Sequence, residues 1–547
     1  MGHLFQGKGA ALFAAALSFF ILLPLISILQ TAVMPDGAWK PEAALSAVMA
    51  PENGKTIINS LILGFLVTIV ATLFAAPAAW FLSRTRLAGK AWLDVLCLVP
   101  FMTPPYIASM GWILFMQKRG LAEQLFPALE SVTPHFFSLA GLVLVMALHG
   151  FPFLVTILKN AIAELPPSME ESAAVFGAPF RKRLFRVVIP LLTPSYAVGA
   201  LLVFVRTLSE YGTPATLGQR IGYPVFTTSI HDFAALQPVQ FGQASALSVV
   251  LTVICLAFWL MQKKVSGSGY DFSGRGQRAR MTSGKKSVLL AGSGFLTVLF
   301  FFSAVIPWFT VLAVSLMKLR GKGLAAANLT FAHYHQFFFD NDGAFSALTN
   351  SLILAAGAAT IASLIGAAAA VYCWRRKSAL ARSVESIALL PEMVPGIVLV
   401  LGMMIFWNTI YDWIPLYNTL GILLVAYVVL FLPFAVQYTQ SALFQISPSL
   451  MAAARVFGAS PMAAFFRVAV PLAWRGILAG WMMIFIISFR ELVAPSLMAP
   501  TNTEVVSTFI MNQFEQGDVS AGMCMAVTTM ILTSIAFFLM DTFAGRK

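Results

Sequence analysis

Charged side chains are scarce in this chain of 547 residues. Asp, Glu, Lys and Arg together make up 10% of it, whereas hydrophobic residues make up 59%. Soluble globular domains carry about 25% charged residues. A packed soluble core does not need so much apolar sequence, so the composition excludes a soluble globular protein and predicts an all-α polytopic membrane protein.

Cysteine is also rare, with four residues in the whole chain. Each lies in an apolar stretch, and no two have the spacing of a metal site. They are interpreted as small core residues and not as a disulfide framework or a zinc site. These residues are Cys97, Cys255, Cys373 and Cys524.

Catalytic motifs are missing as well. The nearest fragment to a phosphate-binding loop is Gly54-Lys55-Thr56, but Met49 stands five residues before Gly54, where the motif requires glycine. No Ser/His/Asp set or pair of hydrolytic acids stands out. His333 and His335 are interpreted as solvated loop residues and not as metal ligands. We therefore expect a chain that is not an enzyme and binds no cofactor itself.

The net charge of +13 has the sign of a nucleic-acid-binding protein. The cations, however, cluster in short loops between apolar runs, as residues that orient a membrane protein do. We expect contact with membrane lipid and none with nucleic acid. An N-terminus inside the cell places the main basic clusters, and both termini, on the cytoplasmic side. These clusters are Arg84, Arg86 and Lys90, then 181–183, 375–377 and Arg382.

Apolar runs of about 20 residues, the length that a bilayer requires, predict about twelve transmembrane helices. The first run is interpreted as a retained span and not as a cleaved signal, because it is long and no small-residue cleavage site follows. The predicted spans are 10–29, 57–82, 92–115, 137–158, 187–208, 246–261, 288–316, 348–374, 386–407, 422–439, 468–487 and 523–540.

The chain contains an internal repeat. The sequence Asn-Ser-Leu-Ile-Leu begins at Asn59 and again at Asn350, an offset of 291 (350 − 59). From Pro152 and Pro433 onward the offset is 281 (433 − 152), so the first half carries about ten extra residues, which we place in the external loop 117–134. Two parallel six-helix repeats follow, 1–262 and 287–547, around a pathway. A Gly-, Ser- and Arg-rich cytoplasmic linker, 263–286, joins them.

A short polar segment interrupts the apolar runs once in each half, near 168–178 and near 449–459. Each copy is too short to span a bilayer, and each is predicted to form a helix outside the lipid. Ser168 and Glu171 have the spacing of a capping box, and Gly177 and Gly458 fit the helix ends. Thirteen residues separate each glycine from Pro190 or Pro471 (190 − 177; 471 − 458).

The pattern Glu-x-Ala-x3-Gly, followed by this proline, resembles the coupling loop of permease subunits in binding-protein-dependent ATP-binding-cassette importers of type I. The resemblance implies that the two helices dock onto two copies of an ATPase subunit, which binds ATP and Mg²⁺. It also implies a periplasmic binding protein and a multi-pass location in the bacterial inner membrane. Ala452 stands where the first copy has its acid, so the docking sites are predicted to differ. The implied coupling residues are Glu171, Ala173, Gly177, Pro190, Ala452, Ala454, Gly458 and Pro471.

Ionisable residues at membrane depth are candidates for the substrate pathway. Glu210 and Glu491 follow equivalent helices at the offset of 281. They either line the pathway or form ion pairs with Arg206, one helical turn away, and with Arg490. No metal site is firmly predicted, and these two acids are the candidates for one. Glu392, between Pro391 and Pro395, belongs to a gating or packing segment, because two prolines break a helix and free its carbonyl groups.

The substrate is suggested by a closer resemblance. The segments 390–399, 488–492 and 210–215, together with the fused two-half length, resemble ferric iron permeases. Iron(III) is a hard cation that suits carboxylate and tyrosinate oxygens, which adds Tyr211 to the candidate pathway. Permeases for thiamine or aminoalkylphosphonates are the alternatives. Two hypotheses propose a different class of function: a secondary transporter, and a scaffold or channel without an ATPase partner.

Overall fold

The structure, a computed structural model, describes residues 8–35, 37–88, 90–267, 286–374, 376 and 378–545. The predicted linker lies mostly outside the described residues, as do Arg375 and Lys377. The described part of the first half forms α1 Lys8–Val33, α2 Pro41–Met49, α3 Pro51–Arg84, α4 Ala91–Met102, α5 Pro105–Met116, α6 Leu121–Leu125, α7 Thr133–Phe136, α8 Leu139–Glu164, α9 Pro167–Val175, α10 Phe180–Arg183, α11 Ile189–Ser209, α12 Phe226–Ala235 and α13 Phe241–Gly267.

The second half follows the same plan, and no β-strand occurs among the described residues of either half. Its helices are α14 Lys286–Phe300, α15 Ile306–Ser315, α16 Ala332–His335, α17 Asp342–Cys373, α18 Ala379–Met393, α19 Gly396–Thr409, α20 Leu420–Phe444, α21 Pro448–Val456, α22 Pro461–Ala464, α23 Val470–Phe489, α24 Val493–Met498, α25 Val506–Gln516 and α26 Val519–Gly545.

Ten continuous helices in the described residues are long and apolar enough to cross a membrane. The prediction of an all-α polytopic membrane protein is therefore confirmed. The ten are Gly9–Val33, Pro51–Arg84, Leu139–Glu164, Phe180–Ser209, Phe241–Val265, Lys286–Ser315, Asp342–Cys373, Leu420–Phe444, Phe465–Phe489 and Val519–Met540.

Two of the twelve predicted spans are broken. The break in 386–407 is expected from Pro391 and Pro395, whereas the break in 92–115 corrects the expectation of a continuous helix there. The span 386–407 is divided into α18 and α19, which meet at an angle of 110°. The span 92–115 is divided into α4 and α5 at the equivalent place. Thr103 and Val394, each preceding a proline, have extended backbones with ψ of 128° and 133°. Proline disfavours the helical conformation of the residue before it, so both breaks follow from the local sequence.

A π-helical turn precedes the proline of each coupling motif. The turns are Leu184–Val188 and Phe465–Ala469, and Pro190 and Pro471 follow them within continuous helices. Proline has no N–H to donate, and its ring clashes with the carbonyl four residues earlier. The wider turn accommodates the ring and keeps the helix unbroken.

The chain divides into two compact units, which do not follow the two sequence repeats. One unit comprises Met1–Ala50, Ile230–Thr252 and Thr330–Lys547, and the other comprises Pro51–Ser229 and Val253–Leu329. The division of the repeats at 262 and 287 stays a prediction. In the first unit α1 packs against α18 and α19, and in the second unit α15 packs against α5. The first helix of each repeat therefore packs with helices of the other repeat.

A glycine and a proline meet at both of these helix contacts. In the second unit, a Cβ atom on Gly111 would lie 2.9 Å from Pro307 Cα. In the first unit, a Cβ atom on Gly402 would clash with the carbonyl oxygen of Pro24. Gly111 and Gly402 are related by the repeat offset of 291 (402 − 111). Small residues allow close approach of membrane helices, so the same device secures the first helix in each unit.

Candidate functional site

The two coupling-helix candidates, α9 and α21, are nine residues long and begin at Pro167 and Pro448. Proline at a first helical position has its backbone angle already set. The capping box predicted from Ser168 and Glu171 is wrong, because Pro166 occupies the capping position and no side chain caps α9. The helix begins two residues earlier than the motif requires. At α21, Ser447 does cap, accepting a hydrogen bond from Ser449 N at 3.2 Å.

The predicted glycine ends of both helices are confirmed. Gly177 and Gly458 have φ of +76° and +82°. Beyond them, Ala178 N donates to the Ala173 carbonyl and Ala459 N to the Ala454 carbonyl, both at 3.0 Å. These bonds satisfy carbonyl groups at the helix ends, and glycine adopts the left-handed conformation without a Cβ penalty. Ala173 and Ala454 thus contribute through their backbones.

Both coupling helices end in the same exposed apolar pair, which the sequence analysis did not identify. Val175 and Val456 are each 84% exposed, and Phe176 and Phe457 are each 90% exposed. Glu171 and Ala452, at the position of the family's acid, are exposed as well. Exposed apolar groups on short polar connections are typical of protein-binding surfaces. The signal was present in the repeated Val-Phe-Gly sequence.

The two helices are anchored by different chemistry. At α9, Glu170 Oε2 lies 3.2 Å from Arg84 Nη1 at the end of α3, with 12% and 3% of the two side chains exposed. At α21, Met451 stands at the equivalent position (451 − 281 = 170). Met451 packs against an apolar cluster that includes Leu443, Ile446 and Phe465. The asymmetry expected at Glu171 and Ala452 therefore extends to their buried neighbours.

Glu210 and Glu491 make corresponding contacts with the backbone that follows them. A Glu210 carboxylate oxygen accepts a hydrogen bond from Thr213 N at 3.0 Å. A Glu491 carboxylate oxygen accepts one from Val493 N at 2.8 Å. Each carboxylate therefore caps the turn after a long helix, α11 or α23. Such hydrogen bonds are expected of acids that have a structural role. The pathway and ion-pair roles of the two acids stay predictions.

The repeated Asn-Ser pair holds the polypeptide after each of these acids. Asn59 Nδ2 donates to the Pro224 carbonyl at 3.1 Å, and Ser60 Oγ accepts from Phe226 N at 2.8 Å. In the second half, Asn350 donates to the Glu504 carbonyl at 3.0 Å, and Ser351 accepts from Val506 N at 2.8 Å. The carbonyls of Glu210 and Glu491 accept in turn from Thr227 and Ser507. The repeat is therefore explained by one hydrogen-bond arrangement used twice.

The remaining pathway candidates differ between the repeats. Arg206 lies over the ring of Phe153, with Cζ 4.3 Å from the ring centroid, and Tyr211 is buried. Arg490 follows the end of α23 as its C-cap. Glu392 is exposed in the last turn of α18 and accepts a hydrogen bond from Gln437 Nε2 of α20.

A second contact of the same kind joins α18 and α20. Gln440 Nε2 donates to Glu385 Oε1 at 2.9 Å. The first-half counterpart of Glu392 is Phe101 (392 − 291), which packs against Phe153 with 5.1 Å between ring centroids. A polar connection in the second repeat thus corresponds to an aromatic one in the first. In the described residues no group of three or more His, Cys, Asp or Glu side chains is arranged to hold a metal ion.

A family model described as the inner membrane component of binding-protein-dependent transport systems matches residues 69–266 and 362–547. The two matches cover most of the chain and give one copy for each repeat. The chain belongs to this family. It is a multi-pass permease subunit of an ATP-binding-cassette importer, and the resemblance inferred from the coupling motifs is confirmed.

Several curated proteins are similar to this permease. The ferric transport system permease FbpB of Actinobacillus pleuropneumoniae is 23% identical over 96% of this chain and 76% of its own length. The putative ferric permease FbpB 1 of Haemophilus influenzae is 24% identical over 89% of this chain and 77% of its own length. The sulfate permease CysT of Salmonella typhimurium is 28% identical, over 43% of this chain and 85% of its own length.

Proposed function

We propose that this permease imports ferric iron, delivered by a periplasmic binding protein and driven by ATP hydrolysis on two copies of a partner ATPase that binds ATP and Mg²⁺. The observation that carries the proposal is the extent of the similarity. The ferric permeases align across both repeats, whereas the sulfate permease aligns with less than half of the chain. Identities of 22–24% with three ferric permeases, each over most of this chain, support this substrate.

Coupling proceeds through α9 and α21. The exposed pairs Val175–Phe176 and Val456–Phe457 enter the ATPase subunits, where burial of their apolar surface stabilises the complex. ATP-driven closure of the ATPases moves both helices, and the continuous helices that follow transmit the movement into the membrane. The pathway then opens to the outside, and ATP hydrolysis returns it to the inward-facing state. This is alternating access, with the N-terminus and C-terminus in the cytoplasm.

Within the membrane, Glu392 is the acid best placed to meet a passing cation. Its side chain is exposed and lies at the bend between α18 and α19. Carboxylate oxygens suit hard cations such as iron(III). Glu210 and Glu491, whose carboxylates accept backbone hydrogen bonds, keep the outer connections in place beside the pathway. Arg206 and Tyr211, which flank Glu210, and Arg490, which precedes Glu491, belong to the same part of the pathway.

The test is uptake of radioactive ferric iron by proteoliposomes that contain this permease, its ATPase and its binding protein, with sulfate and thiamine assayed in parallel. ATP-dependent iron uptake is expected, together with a strong loss in Glu392→Gln. The Glu210→Gln/Glu491→Gln double variant distinguishes a pathway role of these two acids from a structural role. A loss of uptake with unchanged thermal stability assigns those acids to the pathway, and a loss of both assigns them to structure.

A second variant tests the coupling. Phe176→Ser/Phe457→Ser is expected to weaken ATPase association, because it removes the two most exposed apolar side chains of the coupling helices. Phe331→Ser, at a residue 76% exposed in an external connection, is the matched control. Sulfate or thiamine uptake without iron uptake contradicts the substrate. ATPase association that survives the double variant contradicts the docking surface.

A further inference from the structure

The external connections of the second unit carry a concentration of positive charge. Two loops contribute, one after α5 and one after α15, with Arg220 beside them. The six cations are all exposed: Lys118, Arg119, Arg220, Lys318, Arg320 and Lys322. We call this set the basic surface. The acids on the first loop are Glu123 and Glu130. The Glu123 carboxylate accepts hydrogen bonds from Arg119 N and from the Thr133 hydroxyl.

The two loops are held against each other. Gln124 Nε2 donates to the Arg119 carbonyl at 2.6 Å and to the Arg320 carbonyl at 3.4 Å, so one side chain joins both loops. Partial burial, and then the neighbouring charge of Arg320, lower the pKa of Arg220. Three positively charged residues, Arg119, Arg220 and Arg320, are therefore kept near one another, although their mutual repulsion opposes it.

The second loop is held by internal hydrogen bonds at the place where its cations project. Asn328 is buried, and its Nδ2 donates to the carbonyls of Leu319 and Gly323, both at 2.8 Å. Its Oδ1 accepts from Leu319 N at 3.0 Å. The internal bonds leave Arg320 and Lys322 outside, on a loop that is already ordered. Preorganised loops lose little entropy on binding a partner.

Membrane topology does not account for this charge. Lys and Arg concentrate in cytoplasmic loops, and the proposed orientation places the basic surface outside. The first of its loops is also where the first repeat is longer: 22 residues separate α5 from α8, whereas 10 separate α19 from α20. The extra residues therefore form part of the basic surface. External connections of the first unit carry the opposite sign, with Asp340, Asp412, Glu515 and Asp518 exposed.

We propose that the basic surface binds an acidic face on one lobe of the periplasmic binding protein and so fixes the orientation in which that protein docks. The inference rests on the proposed function, because the partner is the binding protein of the importer. Complementary charge accelerates the encounter and penalises the reversed orientation. The acidic connections of the first unit, taken by themselves, repel the same acidic face.

The test measures binding of the iron-loaded binding protein, encoded with this transporter, to the permease–ATPase complex in nanodiscs. Arg320→Glu/Lys322→Glu is expected to weaken binding about tenfold at low ionic strength, and the unaltered complex should lose affinity as salt rises. The matched control is Lys40→Glu/Lys55→Glu, which reverses two exposed external cations outside the basic surface. It should change the affinity by less than about twofold.

Four outcomes overturn the inference. The basic surface takes no part in docking if Arg320→Glu/Lys322→Glu binds with unaltered affinity. The same conclusion follows if the affinity of the unaltered complex does not change with salt concentration. Both outcomes leave the proposed function intact. ATPase stimulation by ferric citrate without binding protein, lost in the same variant, assigns the surface to an anionic chelate instead. Absence of any binding by the unaltered complex overturns the proposed function and this inference together.

Discussion

Arg84 and Glu170 form a buried ion pair that joins the end of α3 to the first coupling helix, with 3.2 Å between Nη1 and Oε2. The residues are 86 positions apart in sequence. A movement of α9 would therefore reach a membrane-spanning helix through a charge contact. In the second repeat the corresponding Met451 packs against apolar residues instead. The two proposed ATPase-docking helices thus differ in how they are joined to the membrane helices as well as in their surface.

Glu170→Gln is expected to lower the free energy of unfolding by about 3 kcal/mol, because it removes the carboxylate charge that lies 3.2 Å from the buried Arg84 guanidinium. Denaturant titration in detergent micelles measures the change. Glu171→Gln, at the exposed neighbouring acid, should stay within about 0.5 kcal/mol of the unaltered protein. Equal effects of the two substitutions would contradict a structural role for the pair.

Gly177→Ala and Gly458→Ala should each destabilise a coupling-helix end by about 1–2 kcal/mol and weaken ATPase association. The cost comes from the positive φ, since a Cβ atom at either position would have open space around it. Pull-down of the ATPase by the permease is the measurement. Gly54→Ala is the control, because Gly54 is helical, has equal space and lacks a positive φ. A comparable loss in that variant would refute the backbone explanation.

Ser60→Ala is expected to expose Phe226 N–H to exchange, because the substitution removes the acceptor of a buried donor at a cost of about 1–3 kcal/mol. Ser351→Ala should do the same at Val506. Hydrogen–deuterium exchange of the peptides spanning α12 and α25 measures both. Ser46→Ala, whose exposed hydroxyl bonds only to its own helix in the described contacts, serves as the control. Unchanged exchange at both sites would show that the Asn-Ser repeat does not secure the connections.

The loop after α5 should loosen in acid. Hydrogen bonds from the Thr133 side chain and then from Arg119 N–H lower the pKa of Glu123 below its ordinary 4.5. Because the folded-state pKa is lowered, the ionised Glu123 carboxylate stabilises the folded loop at every pH above the unfolded-state pKa. This stabilisation is lost as the pH falls through the folded-state pKa. Limited proteolysis of the loop should therefore accelerate below about pH 4.

Glu123→Gln provides the comparison for this prediction. The variant should be cleaved more readily at neutral pH, and its cleavage rate should change little with acidification, because the titrating group is gone. Proteolysis by an acid-tolerant protease, corrected for the enzyme's own pH profile, gives both rates. An identical pH profile in the variant and the unaltered protein would assign the effect to another group.

Much of the fold could be predicted because its determinants are local. Apolar runs locate the spans, and glycine at the ends of α9 and α21 adopts the positive φ expected of it. The proline pairs were recognised as helix breakers at Pro391 and Pro395, and the same chemistry breaks the earlier span at Pro104. The extra length was placed in the external loop where the structure has it. The prediction of a capping box was wrong because α9 begins two residues before the position that the motif requires, and the motif alone does not determine where a helix begins.

By itself, the sequence determined the class of protein, the duplication and the position of both coupling helices, since composition, period and turn chemistry act over a few residues. Only the tertiary structure decided which groups those elements bring together. The Asn-Ser repeat meets backbone groups far away in sequence. The Glu210 carbonyl accepts from the side chain of Thr227, and Gly402 packs against a helix that begins near the N-terminus. Such contacts depend on how helices pack across hundreds of residues, and no local pattern encodes them.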